Sequence, residues 1–461
     1  MTLWTTRLFD EIEIGASASY SRTLDAADIE LLAMLTGDRI GGEPRDHRPA
    51  GAASTHAIGG AILLATAVGT QLPGPGASIA AQSLRFSGRV TAGDVLSANV
   101  VVREKRAAER QLLLDAKCTN QTGDAVAEGT LLVDCPAERQ SVQRLGEVEV
   151  AFHRYNGFKA IFEHAAGKPP VCTAVVHPCD RESLLGALEA AQKGLIIPVL
   201  VGPEAKIRAA ATAAGVVLTD VKIVATEHSH AAADRAVAMA RAGEVQALMK
   251  GSLHTDELMA AVVADGSGLR TDRRISHVFV MDVPTYPKPL LITDAAINIY
   301  PDLDTKRDIV QNAIDLAQVL GIVQPKVAIL SAVETVNSKI KGSVDAAALC
   351  KMAERGQIKG GVLDGPLAFD DAISAAAAKI KAIDSAVAGD PDILVVPDLE
   401  AGNILVKQLS YLAAAESAGV VLGARVPIVL TSRADSARTR EASAAVMVLL
   451  ARARLRQSGG P

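Results

Sequence analysis

The sequence predicts two successive folds. An α+β domain spans residues 1–140, and an α/β domain spans 151–461, on a parallel, doubly wound sheet in two lobes. A polar linker, 141–150, joins them. Three observations predict this. A chain of 461 residues exceeds one ordinary core. One helical apolar run over 57–68 is followed by period-two alternation through residue 134. From about residue 150, short apolar β runs alternate with longer helical runs, the pattern of βαβ units.

Composition supports buried cores. Hydrophobic residues make up 49 % and charged residues 21 %, which excludes a disordered chain. Aromatics are only 3 %, with Ala and Val abundant, which suits helices packed on parallel strands. The formal net charge is −5 and no basic-aromatic run occurs, so no nucleic-acid partner is expected. The first residues carry acids and no apolar core, so no signal peptide is expected. The apolar stretch 57–69 is too short for a membrane span. The five cysteines are scattered without a CxxC pair, as in a cytoplasmic protein with reduced thiols.

In the first domain, the run 57–68 reads as a buried helix. Strands are expected over 79–90, 95–104, 111–120 and 125–134. Leu112, Leu114, Ala116 and Cys118 mark one buried face. Gly93-Asp94 and Thr122-Gly123-Asp124 supply turns. In the second domain, strands are expected over 195–201, 221–225, 326–330, 393–396 and 426–430. Helices are expected to 214, over 231–242 and over 436–454.

Polar residues cluster where these strands end. The run 426–430 passes directly into Thr431-Ser432-Arg433, with a helix following. A strand-to-helix corner offers backbone N–H groups and a positive dipole end to an anion. An Arg there can grip phosphate with its fork. On this pattern alone Ser432 is equally an N-cap and Arg433 a surface charge. Lys250-Gly251-Ser252, Asp294 with Asn298, Asp364-Gly365-Pro366-Leu367 and Pro397-Asp398-Leu399-Glu400-Ala401-Gly402-Asn403 are similar polar groups, each of them weak alone. No G-x-G-x-x-G follows a strand and no P-loop or G-x-S-x-G elbow occurs, which disfavours the usual NAD, NTP and serine-hydrolase chemistries. His228 and His230 lack the further ligands of a metal site, so no metal is expected.

Taken in order, these strings resemble the phosphate acetyltransferase / phosphate butyryltransferase family over about residues 155–455. The resemblance implies a two-lobed fold, a homodimer or higher homo-oligomer, and direct transfer in a ternary complex. The reaction would be acyl-CoA + phosphate ⇌ acyl phosphate + CoA, with short acyl groups and no cofactor. It implies Arg433 as the phosphate ligand and Ser432 as donor to the oxyanion or thiol. Lys250, Ser252, Asp294, Asn298, Asp364 and Asn403 become candidate substrate-binding residues, and Asp435 the candidate base. In the acetyl branch the catalytic Asp stands several residues beyond the Ser-Arg pair, where this chain has Arg438 or Thr439.

Residues 8–135 resemble MaoC-type hot-dog domains, the fold of (R)-specific enoyl-CoA hydratases. The matching strings are Leu35-Thr36-Gly37-Asp38, His56 before the buried helix, Leu72-Pro73-Gly74-Pro75-Gly76 and Gln82-Ser83-Leu84-Arg85-Phe86. That family's dyad lies in an Asp-x-Asn-Pro-x-His run. Here Asp38 stands, but Glu43 occupies the His position. A vestigial hydratase site at Asp38 and His56 is the expectation, with His47 as an alternative partner. A bifunctional hydratase/acyltransferase and a non-catalytic acyl-CoA-binding or assembly protein are the competing readings.

Overall fold

In a computed structural model the described residues are 3–25, 28–29, 31–32, 54–56, 58–87, 89–143, 157–430 and 435–457. Asp38, Glu43 and His47 lie outside them, as do Ser432 and Arg433. The chain divides into two compact units, Met1–Phe152 and His153–Pro461.

The first unit contains strands β1 (Leu3–Thr5), β2 (Ser17–Thr23) and β3 (Ser54–His56), then helix α1 (Ile58–Thr70). Strands β4 (Ser78–Phe86), β5 (Arg89–Thr91), β6 (Val95–Arg106), β7 (Gln111–Thr119), β8 (Ala125–Asp134) and β9 (Ser141–Gln143) follow. Five of them form an antiparallel sheet in the order β2-β6-β7-β8-β4. Alternation decides its faces. Leu96, Ala98, Val100 and Val102 of β6 and Leu112, Leu114, Ala116 and Cys118 of β7 are buried, with their neighbours turned outward. Helix α1 lies against this face through Leu63, Leu64, Ala67 and Val68. Gly60 lets the helix come close, since a Cβ there would stand 3.2 Å from Val126 and Ala127. One helix on a five-stranded antiparallel sheet fits the arrangement expected of a hot-dog domain.

Two expectations change in this unit. The run 79–90 is not one strand. It breaks after Phe86, and β5 leaves to pair with β3, bringing the backbone of His56 opposite Arg89. The polar segment from 141 begins as a strand, because β9 pairs with β1.

The second unit opens with α2 (Lys159–Ala165), β10 (Val171–Val176), α3 (Arg181–Gln192), β11 (Ile196–Gly202), α4 (Glu204–Ala214), β12 (Lys222–Ala225), α5 (Ser229–Arg241), β13 (Ala247–Lys250) and α6 (Thr255–Val263). It continues with β14 (Ser276–Asp282), β15 (Leu290–Thr293), α7 (Leu303–Val319), β16 (Lys326–Leu330), α8 (Lys341–Glu354), β17 (Val362–Leu367), α9 (Phe369–Ile373) and α10 (Ala375–Ile380). Last come β18 (Ile393–Val395), α11 (Leu399–Leu412), β19 (Glu416–Leu422), β20 (Ile428–Val429) and α12 (Ala437–Gln457). One sheet carries all eleven strands, in the order β12-β11-β10-β13-β20-β19-β14-β15-β18-β16-β17.

The sheet is mixed rather than parallel throughout. The block β12-β11-β10-β13-β20 is parallel, and so is the block β15-β18-β16-β17. Strands β19 and β14 join them by antiparallel pairing. The reason is connection length. Only residues 283–289 link β14 to β15, and only 423–427 link β19 to β20, too few for a helical crossover. The two blocks therefore point their carboxyl ends at opposite edges of the sheet. Helices cover both faces: Ala174, Val176, Val199 and Leu248 belong to one apolar cluster, and Val171, Val175, Leu200 and Met249 to another.

His277 sits in the middle of this core at 1 % exposure, its ring 4.3 Å from that of Phe279. Gly419 faces it, because a Cβ there would stand 2.9 Å from Nε2. Burial pushes the imidazole down to about 3 from 6.5, so it stays neutral in the fold. Below pH 6.5 the unfolded chain binds a proton that the folded chain refuses. Stability is therefore lost as pH falls from about 6.5 toward 3, by up to about 1.4 kcal/mol per unit. The urea midpoint should drop between pH 7 and pH 5, and His277→Gln should flatten that drop whatever its absolute stability. An unchanged slope in the variant would contradict this role.

Candidate active site

Strands β10, β13 and β20 lie side by side and parallel, with Val176 opposite Lys250 and Met249 opposite Val429. The three strands therefore end at one edge of the sheet, where 177–180 follow β10, 251–254 follow β13 and Leu430 follows β20. Such an edge is where doubly wound sheets build ligand sites.

The first two segments are tied together. The Gly251 N–H donates to the Val176 carbonyl at 2.8 Å, and a Cβ at Gly251 would stand 2.4 Å from that oxygen. The Ser252 hydroxyl donates to the His177 carbonyl at 2.7 Å and accepts from the Cys179 N–H at 3.2 Å. His177 Nδ1 is 3.0 Å from the same hydroxyl. With the hydroxyl proton directed at the carbonyl, Nδ1 is the donor in that contact. Burial first, and then Lys206, pull the His177 pKa down, which keeps the ring neutral. Lys250 Nζ donates to the carbonyls of Gly251 and Leu253 at 3.2 and 3.3 Å. Lys250 and Ser252 thus hold their own loop in shape at this edge.

Ser432 and Arg433 come after Leu430 and lie outside the described residues. Further along the chain, Ser436 caps α12, its hydroxyl accepting from the Thr439 N–H at 3.0 Å. Arg440 donates to the Asp435 carbonyl at 2.6 Å and lies against Gly186 of α3, where a Cβ would clash at 2.7 Å. Arg438, in the first turn of α12, is 2.6 Å from Glu416. Glu416 is the cross-strand partner of Asp282, which is 3 % exposed and takes the N–H groups of Gly157 and Phe158. Burial raises both carboxyl groups above their ordinary range, and Arg438 pulls them back. The sequence reading missed this cluster. Its one sequence signal is a cation in the first turn of a helix, where the dipole disfavours it unless an acid is near.

Of the remaining candidates, Asp294 and Asn298 follow β15 and Asp364 lies on β17, strands that run the other way, and Asn403 lies on α11. Asp294 is 3 % exposed. Its carboxylate accepts from the N–H groups of Ala296, Ile297 and Asn298 at 3.0–3.1 Å and from Asn298 Nδ2 at 2.6 Å. Burial raises its pKa and these bonds oppose the rise. Asn298 Nδ2 also donates to the Ile275 carbonyl at 2.9 Å. Asn403 donates to the Ala295 carbonyl at 3.2 Å, beside Gly402, where a Cβ would press on Ala295 and Val396. Asp398 caps α11 through the Ala401 N–H at 2.9 Å. Asp364 lies within β17 and accepts from the Gly365 N–H at 2.8 Å. The structure thus brings Lys250, Ser252 and Asp435 to one edge and gathers Asp294, Asn298 and Asn403 at the other.

Among the described residues one acidic group has the spacing of a cation site: Glu334, Asp370 and Asp371. The Lys381 ammonium stands among them at 2.5, 3.0 and 3.1 Å and supplies the positive charge itself. His228 caps α5 through the Ala231 N–H at 3.1 Å, and His230 is 3.6 Å from Glu257.

A family model described as phosphate acetyl/butaryl transferase matches residues 225–448. A phosphate acetyltransferase from Rhizobium meliloti is 65 % identical over 287 residues, 62 % of this chain and 91 % of its own length. A phosphate butyryltransferase from Clostridium acetobutylicum is 38 % identical over 294 residues, 64 % of this chain and 98 % of its own. The crystal structure of a branched-chain phosphotransacylase from Enterococcus faecalis V583 superposes with a TM-score of 0.54 at 30 % identity, covering 61 % of this chain and 99 % of that one.

The geometry at Gly251 gives a direct test. In Gly251→Ala the new methyl meets two backbone carbonyls, of Val176 and His177, neither of which can swing aside. The variant should lose about 1–3 kcal/mol, read as a lower urea midpoint at unchanged slope. A loss below about 0.5 kcal/mol would show that the two loops are not locked together.

Proposed function

Because the chain belongs to the phosphate acetyl/butyryltransferase family, we propose that its second unit transfers a short acyl group between coenzyme A and inorganic phosphate: acyl-CoA + phosphate ⇌ acyl phosphate + CoA. Acetyl is the favoured group, since the acetyltransferase relative is far more similar than the butyryltransferase. Coenzyme A and phosphate enter as substrates, and the reaction needs no cofactor.

In this reading a phosphate oxygen attacks the thioester carbonyl. The carbonyl π electrons move to oxygen, and the tetrahedral oxyanion collapses by expelling the CoA thiolate, which takes up a proton. Phosphate is a weak nucleophile, so holding it close and neutralising charge dominate the acceleration. Arg433 grips the phosphate with its fork. Ser432 donates to the oxyanion or to the departing sulfur. Asp435, one turn before Thr439, serves as base for the thiol in the reverse direction. The observation that supports this site is the parallel pairing of β13 with β20, which ends both strands at the edge that carries the Lys250–Ser252 loop. Lys250 and Ser252 shape that edge. Asp294, Asn298, Asp364 and Asn403 take the more distant parts of the substrate.

The first unit is read as a hot-dog domain whose hydratase site is degenerate at Glu43. A bifunctional enzyme would hydrate crotonyl-CoA, and loss of enoyl absorbance discriminates the two readings. Self-association belongs to the same proposal. Ile404, Tyr411 and Leu412 of α11 are 55, 79 and 84 % exposed and offer an apolar face to a second copy. A cytoplasmic location fits the unpaired thiols. No described helix is long and apolar enough to cross a membrane.

The protein should release CoA from acetyl-CoA only when phosphate or arsenate is present, followed as free thiol. Arg433→Ala should slow phosphate use about 30- to 1000-fold, the value of roughly 2–4 kcal/mol of charge-assisted binding in a closed site. Arg433→Lys should recover only part, lacking the fork. Phosphate-independent release, or an alanine variant with near-normal kinetics, would overturn the reading.

A further inference from the structure

A second site lies at the far end of α12. There a cavity of about 400 Å³ opens among α2, α7 and the last turns of α12. Small-molecule sites occupy about 300–1,000 Å³. The cavity is lined by His164, Lys168, Arg452 and Arg456, over apolar Val319 and Leu449.

Helix carboxyl ends attract cations, and three such ends meet here. That accounts for only part of the charge. Each helix end carries about half a negative charge, roughly 1.5 in sum, against three full positive charges from Lys168, Arg452 and Arg456. Arg452 is spent on structure. Its guanidinium donates to the carbonyls of Pro169 and Pro170 at 2.7–3.1 Å and ties α12 to the start of β10. His164, Lys168 and Arg456 form no ion pair with a carboxylate among the described residues. His164 and Arg456 are exposed and Lys168 is half-buried, so the cavity presents a basic rim over an apolar floor, complementary to an anion with a hydrophobic body.

We propose that this cavity binds a small phosphate monoester whose dianionic head meets Lys168 and Arg456 and whose apolar body lies over Val319 and Leu449. Lysine supplies a point charge and arginine a fork, which together suit a dianion better than a single carboxylate. The site is separate from the transferase edge. Helix α12 has 21 residues, about 30 Å, between the cavity and Ser436.

Phenyl phosphate is a suitable probe, with inorganic phosphate as the comparison, titrated calorimetrically into the full chain at physiological salt. Phenyl phosphate should bind saturably and about tenfold or more tighter than inorganic phosphate, because only it covers the apolar floor. Lys168→Gln/Arg456→Gln should weaken phenyl phosphate about tenfold or more and leave the phosphate-dependent release of CoA unchanged. Should the double variant melt early, Arg456→Gln alone, at an exposed position, gives the same reading. Equal affinity for the two probes, full binding by the variants, or a loss seen only in Arg433→Ala would overturn the site. The last result would assign binding to the transferase edge instead.

Discussion

Strand β20 is two residues long, yet its parallel pairing with β13 decides which parts of the second unit can meet. The two strands are separated by more than half of that unit in sequence. Between them the chain builds β14 to β19, reverses direction twice, and returns to lie beside β13. Loop closure over that length costs entropy that grows only slowly with length, and buried strands offset it. Ile428 and Val429 are fully buried, as are Leu248 and, nearly so, Met249 beside them. Without this pairing the ends of β13 and β20 would have no common edge.

The charge arrangement comes from the same return of the chain. Helix α12 starts at the edge proposed for the anionic substrate, and its amino end is positive. Arg438 and Arg440 add further positive charge to that first turn. Each is held by a defined partner: Arg438 by Glu416, behind which stands Asp282, and Arg440 by the Asp435 carbonyl. The acid pair sits on β14 and β19, the two strands that reverse the sheet. The reversal therefore also delivers the counter-charge to the helix that begins beside the site.

Much of this was legible in residues alone. The second unit's strand at 326–330 is where apolar run-length puts it, and those at 393–395 and 222–225 lie within a residue. Helix α12 begins one residue after the expected start at 436. Strand direction was not legible, because run-length and burial are the same for parallel and antiparallel strands. The signal lay in the lengths of the links, 283–289 and 423–427. Polar strings were legible as residues but not as contacts. Asp294, Asn298, Asp398 and Asn403 are each engaged with backbone around them. Buried irregular backbone needs such partners, and a sequence does not say whether a polar side chain serves its own loop or a substrate. The Asp282–Glu416–Arg438 cluster was invisible for the opposite reason: its members are far apart in sequence and match no motif.

The central claim is that phosphate, rather than water, is the acyl acceptor. The most direct measurement is phosphorus NMR of the full chain with acetyl-CoA and phosphate, with free thiol counted in the same sample. Acetyl phosphate should appear in step with free CoA, one for one, and decline when CoA is added back. Free CoA accumulating without an acyl phosphate resonance would contradict the account, since it would mean that the thioester is hydrolysed.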